Sequence, residues 1–330
     1  MNELRRTIEV TDHPTAFEVG CQQLSSLAAA PVDNRAMLAN QQLIPSFFVV
    51  GPPRTGSSWL HEIFRPHTSL PSPSKETRFF DTHFHLGMNW YLAHYGKSGE
   101  PHRRGEVAPT YFASAEARER IALTAPQAKI VCVFRHPVDR IVSLYRVKRA
   151  YGWIPWNLAE AIERDSELME SSRYATTLKL WQRSFGRENV LAAVYDDLRE
   201  DPQAFVDSIA DFIGLPRFPL ADWQYGFVHD SERMTQPRSY YRTRTATMLA
   251  NWCKARRMDR VVSAIKHSPL RKLVLGGGAP FPKLSEELLI QLHEKLQPEI
   301  EELEGMLQRD LSAWRLWKPA FQHDDKVYLP

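Results

Sequence analysis

No stretch of this sequence approaches the roughly 20 apolar residues that a membrane helix requires, and Met1 to Val10 carries charge where a secretory leader would carry an apolar core. Cysteine is scarce. Cys21, Cys132 and Cys253 are far apart, which excludes a disulfide-stapled scaffold and a thiolate cluster with metal-ligand spacing. Free, buried thiols in a reducing compartment fit this usage, so a cytoplasmic location is expected. An excess of one charge is also missing: 42 Lys and Arg against 39 Asp and Glu leave a net +3, too mild for a protein that coats nucleic acid. His83, His85, His94 and His102 lack a short fixed ligand spacing, and no metal site is expected from them.

What is present is a loop. The run Phe47-Phe48-Val49-Val50 reads as a buried strand, and it ends in Gly51-Pro52-Pro53-Arg54-Thr55-Gly56-Ser57-Ser58-Trp59-Leu60. Trp59, Leu60 and Ile63 have helical spacing. A strand, a glycine-bounded loop and a helix N-terminus together aim backbone N–H groups and the positive end of a helix at one spot, which suits an anion. The glycines have the spacing of a Walker A loop, G-x-x-x-x-G-K-[ST], but Ser57 stands where the lysine belongs. That lysine neutralises the phosphates of a nucleoside triphosphate. The loop therefore reads as a holder of a phosphate-like group other than ATP, with Arg54 as its internal cation.

Strand-like runs recur at Phe47–Val50, Ile130–Phe134 and Val190–Tyr195. Helical patterns occupy Ser57–Phe64, Ala115–Leu123, Val138–Ala150, Leu158–Met169 and Pro202–Ile213. This alternation predicts an α/β fold, a P-loop-like parallel sheet with helices on both faces and ligands at the carboxyl ends of the strands. Residues 1–44 read as an extension with a weak helical pattern over Phe17–Ala29, and 45–330 as a single domain. From Arg238 to Lys272 ten cations face one acid, Asp259, which reads as a solvated helix face or an electropositive rim. Gly276-Gly277-Gly278 reads as a flexible loop. Ser285 can cap a last long helix with Leu288, Leu292 and Leu296 on one face, and Pro298 is expected to kink that helix or to start another carrying Ile300, Leu303 and Leu307.

Three further segments, taken with the loop, resemble sulfotransferases of the glycan-modifying group that includes the heparan sulfate N- and O-sulfotransferases. They are Lys75-Glu76-Thr77-Arg78-Phe79-Phe80-Asp81 followed by Gly87-Met88-Asn89-Trp90-Tyr91; Gly105-Glu106-Val107-Ala108-Pro109-Thr110-Tyr111-Phe112; and Phe134-Arg135-His136-Pro137-Val138-Asp139-Arg140-Ile141-Val142-Ser143-Leu144-Tyr145. Tyr195-Asp196-Asp197-Leu198 and the tail from Pro298 to Trp314 look like bacterial members. The resemblance covers about residues 46 to 317, in order.

It implies 3′-phosphoadenosine 5′-phosphosulfate as donor, 3′,5′-bisphosphoadenosine as product and no metal. It implies Arg54, Thr55, Gly56, Ser57, Ser58 and Trp59 around the 5′-phosphosulfate, and Arg135 with Ser143 at the 3′-phosphate. Glu76 is the implied general base and Lys75 a cation beside it. Arg78 and Asp81 match positions that line the acceptor site. His85 and Trp90 join them as candidate contacts to a small-molecule or glycan acceptor. Arg140 has a competing structural reading, as a partner of acids on its own helix. The sequence departs from the pattern where relatives carry Lys and this chain has Val107. It departs again where Gly277-Gly278-Ala279 replaces a basic Lys-Gly-Arg loop; Phe281 keeps that loop's aromatic, and Arg238 or Arg242 is a candidate for the missing charge. A P-loop-like kinase and a non-catalytic nucleotide-binding protein stay open as alternatives.

Overall fold

The computed structural model describes residues 44–96, 103–221, 234–255 and 277–317. The expected helix at Phe17–Ala29, Cys21, His102 and the basic segment beyond Ala255 lie outside them. Four strands form one sheet in the order β2-β1-β3-β4: β1 (Phe47–Gly51), β2 (Gly105–Val107), β3 (Lys129–Phe134) and β4 (Val190–Val194). Every pairing is parallel, with Phe47 opposite both Gly105 and Lys129, and Ile130 opposite Val190. The chain moves from β1 to β2 on one side, then to β3 on the other. That reversal opens a crevice at the carboxyl ends of β1 and β3, where open α/β sheets hold ligands.

Side chains alternate between the faces of the sheet, and both faces are covered. Phe48, Val50, Ile130, Cys132 and Phe134 pack with Leu178 and Trp181 of α7 (Tyr174–Phe185) and with Ile300 and Leu303 of α11 (Glu286–Leu307). Phe47, Val49, Val131 and Val133 pack with Leu60, Ile63 and Phe64 of α1 (Ser57–Phe64) and with Phe205, Val206 and Ile209 of α9 (Pro202–Ile213). Apolar burial on both sides explains why these strands read as continuous hydrophobic runs. Trp181, the largest fully buried side chain among the described residues, satisfies its indole by donating to the Phe112 carbonyl at 3.0 Å. No helix among the described residues is long and apolar enough to cross a membrane.

Several elements differ from the sequence expectation. The fourth strand stops at Val194, and Tyr195 opens the helix α8 (Tyr195–Glu200). The pattern over Leu158–Met169 is two helices, α5 (Leu158–Arg164) and α6 (Ser166–Glu170), because Asp165 adopts extended backbone and accepts the Glu167 N–H at 3.3 Å. Gly277 and Gly278 belong to a hairpin, β5 (Thr235–Pro237) with β6 (Gly277–Pro280), rather than a flexible loop, and Gly276 lies outside the described residues. α11 runs unbroken through Pro298, capped by Ser285, and buries Leu289, Leu292, Leu296, Ile300 and Leu303, with Leu288 only partly covered. α10 (Tyr240–Ala255) is a helix within the basic segment.

Two of the sequence-matched segments meet each other. The Trp314 indole donates to Asp196 Oδ2 at 2.7 Å, and Arg309 makes a two-pronged ion pair with Asp197. The tail thereby holds the start of α8 in place beneath the strand ends.

Candidate active site

The turn after β1 is built from left-handed residues: Gly51 at φ 102°, Arg54 at φ 76° and Gly56 at φ 88°. A Cβ on Gly51 would lie 2.7 Å from Pro109 Cα, so only glycine lets the loop pass this close to the segment after β2. The Thr55 hydroxyl closes the turn by donating to the Pro52 carbonyl at 2.7 Å. It is buried in that role, so its side chain belongs to the loop's own scaffold. Gly56 caps α1, and the first intrahelical bond runs from Leu60 N to Gly56 O at 3.0 Å. The N–H groups of Ser57 and Ser58 therefore point out of the helix end, toward whatever occupies the loop. The Trp59 side chain is buried in the core with Leu60 and Ile63.

Lys75 reaches this helix end from another part of the chain. Its Nζ lies 3.3 Å from Ser57 Oγ and 3.2 Å from Ser58 Oγ. The ammonium thus stands over the position where a Walker loop would carry its own lysine. Glu76 Oε1 lies 3.3 Å from the same Nζ, and both side chains keep about a quarter of their surface exposed, at 24% and 28%. Burial holds the Lys75 ammonium below the usual lysine range, while Glu76 beside it works the other way.

Arg54 joins the loop to the third motif, its Nε donating to Ser143 Oγ at 2.9 Å. Ser143 is buried on α4 (Pro137–Ala150). Arg135, just past β3, lays its guanidinium 5.3 Å from the centre of the Tyr195 ring, and Tyr174 donates to the Arg135 carbonyl at 2.9 Å. Arg140 is fully buried and donates to Ser172 Oγ and the Leu168 carbonyl. It braces α4 against the α6 region and does not pair with acids on its own helix.

Other expected residues fall outside this cluster. Arg238 is exposed and donates to the Gly277 carbonyl at 2.8 Å, fastening the hairpin. Phe281 packs against Tyr145, rings 6.1 Å apart, which sets it on the helix that carries Ser143. Arg78, at φ 53°, pairs with Asp81 at 3.0 Å. His85 is exposed, and Trp90 packs against Phe79 and His94. Among the described residues no group of three or more His, Cys, Asp or Glu side chains is arranged to hold a metal.

A family profile described as sulfotransferase domain matches residues 45–252. The chain belongs to the sulfotransferase family. It is 28% identical over 231 residues to the Homo sapiens bifunctional heparan sulfate N-deacetylase/N-sulfotransferase 2, covering 61% of this chain and 26% of that protein. It is 28% identical over 204 residues to the Mus musculus heparan sulfate glucosamine 3-O-sulfotransferase 3A1, covering 58% and 52%. The chain spans about a quarter to a half of the length of these curated relatives. The crystal structure of a sulfotransferase from Alicyclobacillus acidocaldarius shares the fold, with TM-score 0.57 and 21% identity over 82% of this chain and 99% of that one.

The sulfotransferase domain carries a buried support that motif reading passed over. Glu106, at 0% exposure on β2, accepts the Thr77 N–H at 2.9 Å, the Thr77 hydroxyl at 2.7 Å and the Tyr91 hydroxyl at 2.9 Å. The Tyr111 hydroxyl lies 3.3 Å from both of its oxygens. Its signal in the sequence was a lone acid inside an apolar, aromatic motif. Tyr195 and His61 were also missed. His61 is buried one turn into α1, and burial together with the Lys75 charge pushes its imidazole down.

Burial pushes the Glu106 carboxyl up to about 7, against hydrogen bonds from Thr77, Tyr91 and Tyr111 that favour the ionised form. Between the ordinary carboxylate range and about pH 7 the folded sulfotransferase holds a proton that the unfolded chain releases. The stability tied to this proton is present at low pH and is lost as pH rises through about 7, by on the order of 3 kcal/mol. Denaturant unfolding at pH 5 and pH 8 should show wild type losing stability relative to Glu106→Gln as pH rises. Parallel pH dependences for the two proteins would contradict the raised value.

Proposed function

We propose that this sulfotransferase moves the sulfuryl group of 3′-phosphoadenosine 5′-phosphosulfate to an acceptor hydroxyl, with Glu76 as general base. The observation that carries this reading is the bond from Arg54 to Ser143, which ties an anion-binding loop to a second anion-binding motif. A donor with phosphates at both ends of its ribose needs two such sites side by side. The residues suit that group chemically: two cations, Arg54 and Lys75, two hydroxyls and a helix N-terminus at the loop, and a strand-end Arg135 beside it. The donor supplies a sulfuryl group already attached to a phosphate leaving group.

The protein's part is alignment and charge. Glu76 takes the acceptor's proton. Arg54, Lys75, Ser57 and Ser58 meet the negative charge that grows on the departing phosphate oxygen. Arg135 and Ser143 hold the 3′-phosphate, and the Tyr195 ring keeps the Arg135 guanidinium oriented. Arg78, Asp81, His85 and Trp90, on the segment that follows the base, form the proposed acceptor side. The acceptor class is a sugar, a glycolipid or a secondary metabolite. Glucosamine oligosaccharides are the first probe because a relative is named for glucosamine. The buried free thiols of Cys132 and Cys253 support a cytoplasmic enzyme. Residues 45–330 act as one domain in this reading, with 1–44 as an extension to it.

A thermal-shift titration with 3′,5′-bisphosphoadenosine, AMP and ATP-Mg²⁺ tests the donor. Selective stabilisation by the bisphosphate is expected, and a preference for ATP would overturn the reading in favour of a phosphotransferase. Arg135→Ala should weaken bisphosphate binding by about 1.5–3 kcal/mol, the value of a hydrogen bond to a charged group, and leave AMP unaffected. An unchanged bisphosphate affinity would remove Arg135 from the 3′-phosphate.

A further inference from the structure

We infer that Glu106 is a positioning residue for Glu76, acting through Thr77. The inference rests on the reading of Glu76 as the base. Glu76 stands on an irregular stretch, with no helix or strand to fix it. The next residue, Thr77, is fastened to Glu106 by its N–H at 2.9 Å and its hydroxyl at 2.7 Å. The same hydroxyl oxygen accepts the Phe79 N–H at 3.1 Å. Between them Arg78 takes a left-handed conformation, at φ 53°, that its own side chain disfavours. Glu106 thus pins Thr77, and Thr77 in turn ties down Phe79 on the far side of that turn, which sets the direction in which Glu76 leaves the backbone. β2 is the rigid element behind it: Phe48 and Glu106 are paired residues in the sheet, so the base is referenced to β1, the strand that carries the donor loop.

The surroundings of Glu106 keep the anchor intact in either protonation state. Its Oε1 takes both bonds from Thr77, and its Oε2 faces Tyr91. The Tyr91 hydroxyl lies 2.9 Å from that of Tyr95, which donates to the Gly105 carbonyl at 3.2 Å. A proton on Oε2 reverses one bond: Glu106 donates to Tyr91, Tyr91 to Tyr95, and Tyr95 still to Gly105. No donor is orphaned, and Oε1 still holds Thr77. A glutamine at this position reproduces that arrangement, with its amide oxygen on Thr77 and its NH₂ on Tyr91. A leucine of similar size cannot.

The test compares Glu106→Gln, Glu106→Leu, Thr77→Val and Glu76→Gln in the full chain. Turnover is read as release of 3′,5′-bisphosphoadenosine from the donor with a glucosamine oligosaccharide, and beside it with water alone, as acceptor. Bisphosphate affinity is measured by calorimetry. Glu106→Leu should lower kcat by on the order of 10- to 100-fold, the cost of misplacing a reacting group by about an ångström, with donor KM and bisphosphate affinity unchanged. Glu106→Gln should stay within a few-fold of wild type, and a glutamine variant as slow as the leucine variant would overturn the anchoring account. If the leucine variant fails to fold, Thr77→Val decides. It loses the hydroxyl but keeps its N–H, so a several-fold loss of kcat with unchanged donor KM supports the role and wild-type kcat overturns it. Adding Thr77→Val to Glu76→Gln should slow the enzyme no further, whereas an additive loss would mean that Glu106 acts elsewhere. Wild-type turnover in Glu76→Gln removes the base reading and this inference with it. An inactive Glu76→Gln beside fully active Glu106→Leu and Thr77→Val removes the positioning role alone.

Discussion

Glu76→Gln should lower sulfuryl transfer by on the order of 10²- to 10⁴-fold while leaving bisphosphate affinity within about twofold of wild type. Glutamine keeps the volume and one oxygen of the side chain but cannot take a proton. The loss therefore falls on the step in which the acceptor attacks and spares the donor contacts. The ion pair with Lys75 sharpens the expectation. Removing the negative charge 3.3 Å from Nζ leaves the ammonium nearer to Ser57 and Ser58 alone, so donor binding should hold or tighten slightly. Parallel measurement of transfer rate and calorimetric affinity checks both halves. A variant that transfers at the wild-type rate removes Glu76 from the role, and one that loses donor binding places it at the donor instead.

Arg54→Gly carries the second large effect. The guanidinium is the loop's own cation, and deleting a preorganised donor at a developing oxyanion costs on the order of 10²- to 10³-fold in kcat. Glycine is the informative replacement because Arg54 sits at φ 76°. A side-chain-bearing residue pays roughly 1–2 kcal/mol for that conformation, and glycine pays little. The variant should therefore lose turnover and some bisphosphate affinity, since the link to Ser143 goes too, without a lower unfolding temperature. A fall in stability that tracks the fall in rate would mean that Arg54 is a structural brace. Arg54→Lys should recover part of the rate, since charge returns without the fork that reaches Ser143.

The backbone of the proposed donor loop was legible in the sequence because its determinants are local. An apolar run ending in Gly51-Pro52-Pro53 fixes a strand and a turn, and Gly56 fixes where the helix begins. The motif around Arg135 reads the same way, as a strand end followed by Pro137 at a helix start. What was not legible depends on chain segments that meet only in space. Nothing in the spacing of Lys75 from Ser57 tells that one supplies the charge missing beside the other. β2 escaped notice because three residues carry no periodicity. Tyr195 reads as the end of a strand because aromatic and β-branched residues both favour strands; the two aspartates that follow are the better guide, being favourable in a helix's first turn. The α7 helix is a different case. Tyr174, Ala175, Leu178, Trp181 and Phe185 have plain helical spacing, and the signal was there to be read.

The grip of Arg309 and Trp314 on Asp197 and Asp196 bears on where this domain can be cut. The family profile ends at residue 252, a natural place to trim an expression clone. Such a fragment would part Asp196 and Asp197 from Trp314 and Arg309 and strip Ile300 and Leu303 from the cluster that holds Phe48 and Phe134 on one face of the sheet. The portion matched by the profile and the folding unit are thus different lengths of chain. A library of truncations, scored for soluble yield, should collapse well before its C-terminal boundary retreats to the end of the profile.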